Sequence, residues 1–430
     1  MTQKMFVWGI LVACVIMEMF LASAITDGKV IKLTNDLTFD SFSTWSPDGE
    51  KVAFFSNRSG IWDAWMMNTD GSNMVQLTEG GMTYNLKWSP CGTKIAFSWN
   101  RSGNNDVWIM NSDGSNKVQL TTSPANDLFS SWSPDGTKIG FFSDRSGNND
   151  IWVMNSDGSN KVHLTTNPAD DWGPVWSPSG DKLAFDSTRS GNRDIFVMDN
   201  DGKTQLTTNE DDDLFQDWSP DGRKIAFLSE RSGKLNIGVM NSDGSNKVQL
   251  TTDMWLVESV AFSPDGKNIA FSGCPKADFT CNMDIWIMNV EGSNRMQLTT
   301  GEEFDLKPLW SLDGKKIAYT SDGNIYVITL EDEITPTPTT TATPPSGGGE
   351  APVTTPAVNI TPSPPVTPTT SPAVTPGVHV TPSTTPTPTT TSTPGPAGKI
   401  PGYEAIIAIS VLLVLAYVMR LKSWIKNKKR

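Results

Sequence analysis

Five aspartates stand at one fixed distance, five residues ahead of an aromatic: Asp40, Asp127, Asp171, Asp213 and Asp305. Two further units carry Thr83 and Val257 at the same place. Carboxylates repeated in this way, with Asp170, Asp211, Asp212, Glu302 and Glu303 beside them, would form an acidic rim that draws a cation or a basic peptide. Calcium is the ion such a metal site would hold, and no other cofactor motif is present. The competing reading is architectural: the same aspartates hydrogen-bond neighbouring loops or pair with Arg58, Arg101, Arg145, Arg189 and Arg231, because a residue found in most repeats commonly makes the repeat. Trp172 and Trp255 fall outside the repeated pattern, so they are candidate partner-binding contacts, with buried loop anchors as the alternative.

Catalytic chemistry has little to work with. The chain has two histidines, His163 and His379, and no Ser-His-Asp or His-rich metal arrangement can be assembled from them. The expectation is that the protein is not an enzyme; the remaining catalytic reading is a carboxylate pair at the rim acting on a glycan, or a peptide-processing activity. The Asp-Gly-Ser-Asn stretches lack the alternating acids and terminal Glu of an EF-hand loop and read as hairpin turns.

The elements that must position these groups follow from the phrase Trp45-Ser46-Pro47-Asp48-Gly49, which returns at Trp88, Trp132, Trp176, Trp218, Phe262 and Trp310. Spacings of 43, 44, 44, 42, 44 and 48 residues, with strand-like content, predict one propeller blade per repeat. Each unit reads as four strands: one ending in the aromatic, an Ile-Ala-Phe run such as 95–97, an Asp-Ile-Trp-Val-Met-Asn run such as 150–155, and a Val-Gln-Leu-Thr run such as 118–121. Ser-Pro-Asp-Gly, Arg-Ser-Gly-Asn and Asn-Ser-Asp-Gly-Ser-Asn supply the turns between them. The seventh unit ends without a Val-Gln-Leu-Thr run, and Ile31-Lys32-Leu33-Thr34 precedes the first Trp. The fold expected is therefore all-β, a seven-bladed propeller of four-stranded blades closed by an N-terminal strand that completes the last blade.

The flanks have other characters. Residues 1–24 open with Lys4, run through an apolar stretch and end Ala22-Ser23-Ala24, the pattern of a secretory signal peptide; a lipid-attachment reading at Cys14 is the lesser one, since the apolar run continues past it. Residues 25–333 form the propeller. Residues 334–398 are a Thr/Pro-rich disordered stalk, and 399–430 combine an apolar run, 405–419, with a basic tail that the positive-inside rule places on the cytoplasmic side. The whole chain carries −13, and because only eight of 34 basic and three of 47 acidic residues lie outside 25–333, the propeller carries about −18, which argues against nucleic acid as a partner. Cys274 and Cys281 bracket an insertion in the sixth unit and are expected to form a disulfide in an oxidising compartment, while Cys91 is unpaired. Asn57, Asn100 and Asn359 head N-glycosylation sequons.

Two resemblances rest on these residues. The seven Trp-Ser-Pro-Asp-Gly units with their flanking strands resemble the TolB-like propeller family of PD40 (WD40-like) repeats, with departures at Phe262, Leu312, Cys91 and Ser179. Pro401-Gly402-Tyr403, followed by the apolar segment and basic residues after a Thr/Pro stretch, resembles the PGF-CTERM sorting signal of archaeal surface proteins, with Tyr403 where that family has Phe. That likeness implies an archaeosortase-type processing enzyme that replaces the segment with a lipid; without processing, the segment would serve as a transmembrane helix. The function expected is a glycoprotein displayed on the cell surface that binds a protein, glycan or cation through its acidic rim, anchored to the membrane by the C-terminal segment or its lipid. A structural envelope component without a discrete ligand is the alternative.

Overall fold

In the computed structural model the described residues are 30–330, apart from 36–37, 232 and 276–281. They form seven four-stranded antiparallel sheets and no helix, so no helix among them is long and apolar enough to cross a membrane. The expected signal peptide, stalk and sorting segment, with Asn359, Pro401, Gly402, Tyr403 and Cys281, lie outside the described residues. The first blade shows the pattern: an inner strand Asp40–Trp45, a second Lys51–Ser56, a third Asp63–Asn68 and an outer strand Val75–Gln76. The seventh blade comprises Asp305–Trp310, Lys316–Ser321 and Asn324–Thr329, with Val30–Lys32 antiparallel to the last.

The outer strands are shorter than the Val-Gln-Leu-Thr runs suggest, two residues in most blades. The Thr ends the ladder by substituting its hydroxyl for a backbone group: Leu120 N donates to Val107 O at 2.8 Å, but Val107 N donates to Thr121 Oγ1 at 2.9 Å. The same exchange occurs at the chain's N-terminal strand, where Leu33 N bonds Ile325 O and Ile325 N bonds Thr34 Oγ1.

The Ser-Pro-Asp-Gly turn is locked by its own side chains. Ser46 Oγ donates to Asp48 Oδ1 at 2.5 Å and accepts from Lys51 N, while Asp48 Oδ1 accepts from Glu50 N at 3.0 Å. These donors hold the Asp48 carboxyl below the usual carboxylate range. Where the repeat departs, chemistry is conserved by other means: in the fourth blade Ser179 replaces the Asp, and Asp181 accepts from both Ser177 and Ser179. The Gly of the outer hairpin is fixed by packing as well as by φ; at Gly114 (φ 84°) a Cβ would lie 2.9 Å from Leu77 Cδ2 of the preceding blade.

Blades meet through the repeated Trp. Trp45, Trp132, Trp218 and Trp310 are 4–8% exposed, and each donates its indole N–H to a carbonyl of the preceding blade: Leu309, Lys87, Val175 and Ala261 respectively, at 3.1–3.3 Å. Trp88 and Trp176 are placed alike but their indole N–H groups find no acceptor, and Phe262 has none to offer. A second seam bond depends on the preceding blade having a short polar residue in its second strand. Phe42, Phe129 and Phe215 donate their backbone N–H to Thr320 Oγ1, Ser98 Oγ and Asp186 Oδ1. Where the preceding residue is Phe55 or Phe142, or is Ser272 already bonded to Ser259, the inner strand instead turns through a left-handed residue: Asn85, Gly173 or Lys307.

These seams yield a paired test. Trp218→Phe removes a made hydrogen bond and strands Val175 O, whereas Trp88→Phe removes an unmade one; chemical denaturation is expected to show Trp218→Phe the more destabilising, by ~1 kcal/mol. Equal losses would mean that the indole contributes by volume alone.

Candidate functional site: the aspartate ring and the central channel

Each inner strand begins with the aspartate of the ring. Far from standing open at a rim, Asp40, Asp127, Asp171, Asp213 and Asp305 are 0–7% exposed. Four are engaged by the arginine of the hairpin that follows. Arg58 Nη2 lies 3.0 Å from both Asp40 oxygens, Arg145 Nη2 2.7 Å from both of Asp127, Arg189 Nη2 2.8–2.9 Å from both of Asp171, and Arg231 Nη2 3.3 Å from Asp213. The geometry is fixed from two further sides. Arg58, Arg145 and Arg189 each donate Nε–H to a Ser hydroxyl (Ser56, Ser143, Ser187) and lie over aromatic rings, with 4.9 Å to Trp65, 4.5 Å to Trp152 and 4.4 Å to Phe196. Asp305 has no such arginine; burial raises its carboxyl, with Ser321 and Thr299 as hydrogen-bond partners. The arrangement matches the architectural reading of the ring, and among the described residues no group of three His, Cys, Asp or Glu could hold a metal ion.

A second aspartate in the third strand of five blades, replaced by Asn236 in the fifth and Asn324 in the seventh, completes the network. Asp63 accepts from Ser59, Thr78 and Gln76 Nε2; Asp106 accepts likewise from Ser102, Thr121 and Gln119. His163 takes the place of the Gln in the third blade, its Nε2 2.9 Å from Asp150 Oδ2 and its ring stacked 4.2 Å from Trp152, so it serves the repeat.

The other candidates separate. Trp172 is half-buried beneath the Arg193 guanidinium, 5.0 Å away, while Trp255 is 42% exposed. Asn57 and Asn100 are half-buried, and their side-chain oxygens accept from Phe39 N and Met82 N. Cys274 is disulfide-bonded. Cys91 is free and exposed at its turn, beside Ser89 Oγ at 3.5 Å and Thr93 Oγ1 at 3.1 Å, and these hydroxyls lower its thiol to about 7.

Sequence reasoning missed the charges of the inner strands. The residue before the aromatic is Thr44, Lys87, Ser131, Val175, Asp217, Ala261 and Leu309 in turn, so Lys87 and Asp217 are departures from a small or apolar position. They lie in the second and fifth blades and interact electrostatically across the ring. Lys87 keeps solvent access, yet the enclosing blades hold its ammonium below the ordinary lysine range. Asp217 accepts from Phe262 N at 2.9 Å, and burial raises its carboxyl to about 6. Glu258 and Lys307 form a second opposed pair in adjacent blades, with burial raising the Glu258 carboxyl and its Oε2 buried without a hydrogen-bond partner. Asp186, between Arg193 at 3.0 Å and Phe215 N, is also raised to about 6 by burial. The signal that could have found them is the break in the repeat itself.

These acids set a pH dependence. A carboxyl raised in the folded state favours folding when protonated, so the contribution of Asp186 and Asp217 is fully present below about pH 4 and is lost as pH rises through about 6. Denaturation of Asp217→Asn is expected to show a flatter pH 4–7 dependence than the parent, by ~2–3 kcal/mol over that window. An unchanged slope would place Asp217 in water.

Residues 79–172 and 163–280 match the TolB beta propeller domain family, PD40. No curated protein sequence matches the chain. Among solved structures, the oligogalacturonate lyase of Vibrio parahaemolyticus superposes with a TM-score of 0.60 at 14% identity, covering 71% of this chain and 95% of that one. An oligogalacturonate lyase in complex with manganese gives 0.58 at 15%, covering 70% and 93%. TolB from Acinetobacter baumannii gives 0.46 at 22%, covering 61% and 64%. At these identities the likeness is one of fold: the chain is a seven-bladed β-propeller, of which residues 79–280 match the PD40 family.

Proposed function

We propose that this propeller is a non-enzymatic binding module that recognises a protein or glycan partner through its channel and the surrounding loops. The observation that carries this reading is the distribution of departures from the repeat. Residues that recur are consumed in making the blades, as the Asp–Arg pairs are; Lys87, Asp217, Glu258 and Lys307 recur nowhere and meet at the inner strands. Asp217 and Glu258 are half-buried while Lys87 and Lys307 keep solvent access, and partial desolvation of such acids is costly unless a ligand or a partner charge offsets it, which favours a recognition role. The exposed acids Asp211, Glu302 and Glu303 would add attraction for a cationic partner, and calcium would enter as a bridge at that face. In this reading the signal peptide exports the chain, and the stalk and sorting segment hold the disc off the membrane.

The catalytic alternative has one specific observation in its favour: two channel-lining acids, Asp217 and Glu258, with raised carboxyls. The test is capture of envelope components by the full chain, with and without calcium, compared with Lys87→Met and Glu258→Gln. Loss of the captured partner in either variant is expected. Retention by both would overturn the channel as the recognition surface, and turnover of an envelope glycan or peptide that Asp217→Asn abolishes would make the protein an enzyme. Surface display is checked on intact cells, where added protease should remove the propeller; protection from it would refute export.

A further inference from the structure

The second blade breaks the Asp–Arg pattern, and the break leaves a cation beside a cavity. In the first, third and fourth blades the second strand ends in Ser, which the arginine uses as an anchor while its guanidinium lies over an aromatic ring of the third strand and pairs with the ring aspartate. In the second blade that Ser is Trp99 and that Asp is Thr83. The Trp99 indole is 1% exposed, packs 5.1 Å from Trp108, and donates Nε1–H to Gly81 O at 2.9 Å. It therefore occupies the space over Trp108 that an arginine fills over Trp65 and Trp152. Arg101 is pushed outward onto the far face of Trp99, 4.9 Å from its ring, and is exposed. Its counterparts Arg58, Arg145 and Arg189 are only 15–23% exposed in their side chains. Among the described residues Arg101 has no acid partner.

Arg101 lines a cavity of about 590 Å³ between the outer strand of the first blade and the edge of the second, together with Gln76, Glu79, Trp99 and Lys117. That volume falls within the range of small-molecule sites. Lys117 Nζ is held by Gly114 O at 2.5 Å, and Gln76 Nε2 is already committed to Asp63 and Thr78 O, so two oriented cations remain to meet a ligand. A guanidinium stacked on an indole loses little freedom on binding and presents its N–H edge as a fork that matches a carboxylate. Glu79 leaves the lining with a single net positive charge, which suits a monoanion.

We propose that this groove between the first two blades binds the carboxylate of a small-molecule ligand, with Arg101 as the primary contact and Lys117 as the second. The site is separate from the channel and does not depend on its role. The experiment is calorimetric titration of the full chain with glucuronate, glutarate and N-acetylglycine, with glucose and inorganic phosphate as controls. Saturable binding of at least one carboxylate is expected, with none of glucose. Arg101→Gln should weaken it at least tenfold and Lys117→Gln severalfold. The double variant Trp99→Ser, Thr83→Asp rebuilds the pattern of the first, third and fourth blades, so it should keep the parent's circular dichroism and melting while losing the ligand. Binding unchanged in Arg101→Gln, phosphate bound more tightly than every carboxylate, or no saturable binding of any carboxylate would each overturn the proposal.

Discussion

An indole wedged between neighbouring sheets is the contact on which this molecule turns. A four-stranded blade buries little on its own, so each must pack on the next, and the repeated Trp provides apolar area and a hydrogen bond at once. Trp45 illustrates the constraint most fully, since the carbonyl it reaches, Leu309 O, belongs to the last blade. A ring of seven has to fill every seam with an aromatic, and four of the seven add the indole hydrogen bond. The turn that follows the Trp is accordingly rigid, with Ser46 and Asp48 saturating the backbone donors that would otherwise let the corner move.

The buried aspartates show how acidic composition can mislead about a surface. A propeller with about 18 excess negative charges still commits its most regular carboxylates to internal work. Asp127 is wholly buried, paired through both oxygens with Arg145, whose other face rests on Trp152. Removing one partner of such a pair would strand a buried charge, so Asp, Arg, Ser and aromatic must vary together. The second blade is where they have varied together: Thr for Asp, Trp for Ser, and an arginine displaced to the surface.

A repeat protein thus separates its residues by periodicity. Those that recur build seams, turns and the Asp–Arg network. Those that do not, Lys87, Asp217, Glu258 and Lys307 at the inner strands and Trp99 with Arg101 at the perimeter, are free to differ because no neighbouring blade copies their environment. His163 is the instructive exception, a unique residue that nevertheless performs the repeat's task by donating where its equivalents are glutamines.

The fold class, the seven units, the four strands of each and the turn chemistry were all legible in the sequence, because hydrophobic alternation, Pro-Asp-Gly corners and a 42–48-residue period are local signals that neighbours in the chain enforce. The short outer strands were less so, since Thr121 ends its ladder with a side-chain hydroxyl that strand propensity does not register. Whether the aspartate ring faced solvent or arginine was posed by the spacing but not decided by it. The same 18-residue separation of Asp40 from Arg58 fits both an open rim and a buried pair, and only the packing of Trp65 beneath the guanidinium selects one. The opposition of Lys87 and Asp217 was invisible, for 130 residues separate them and only closure of the ring brings their blades to face each other.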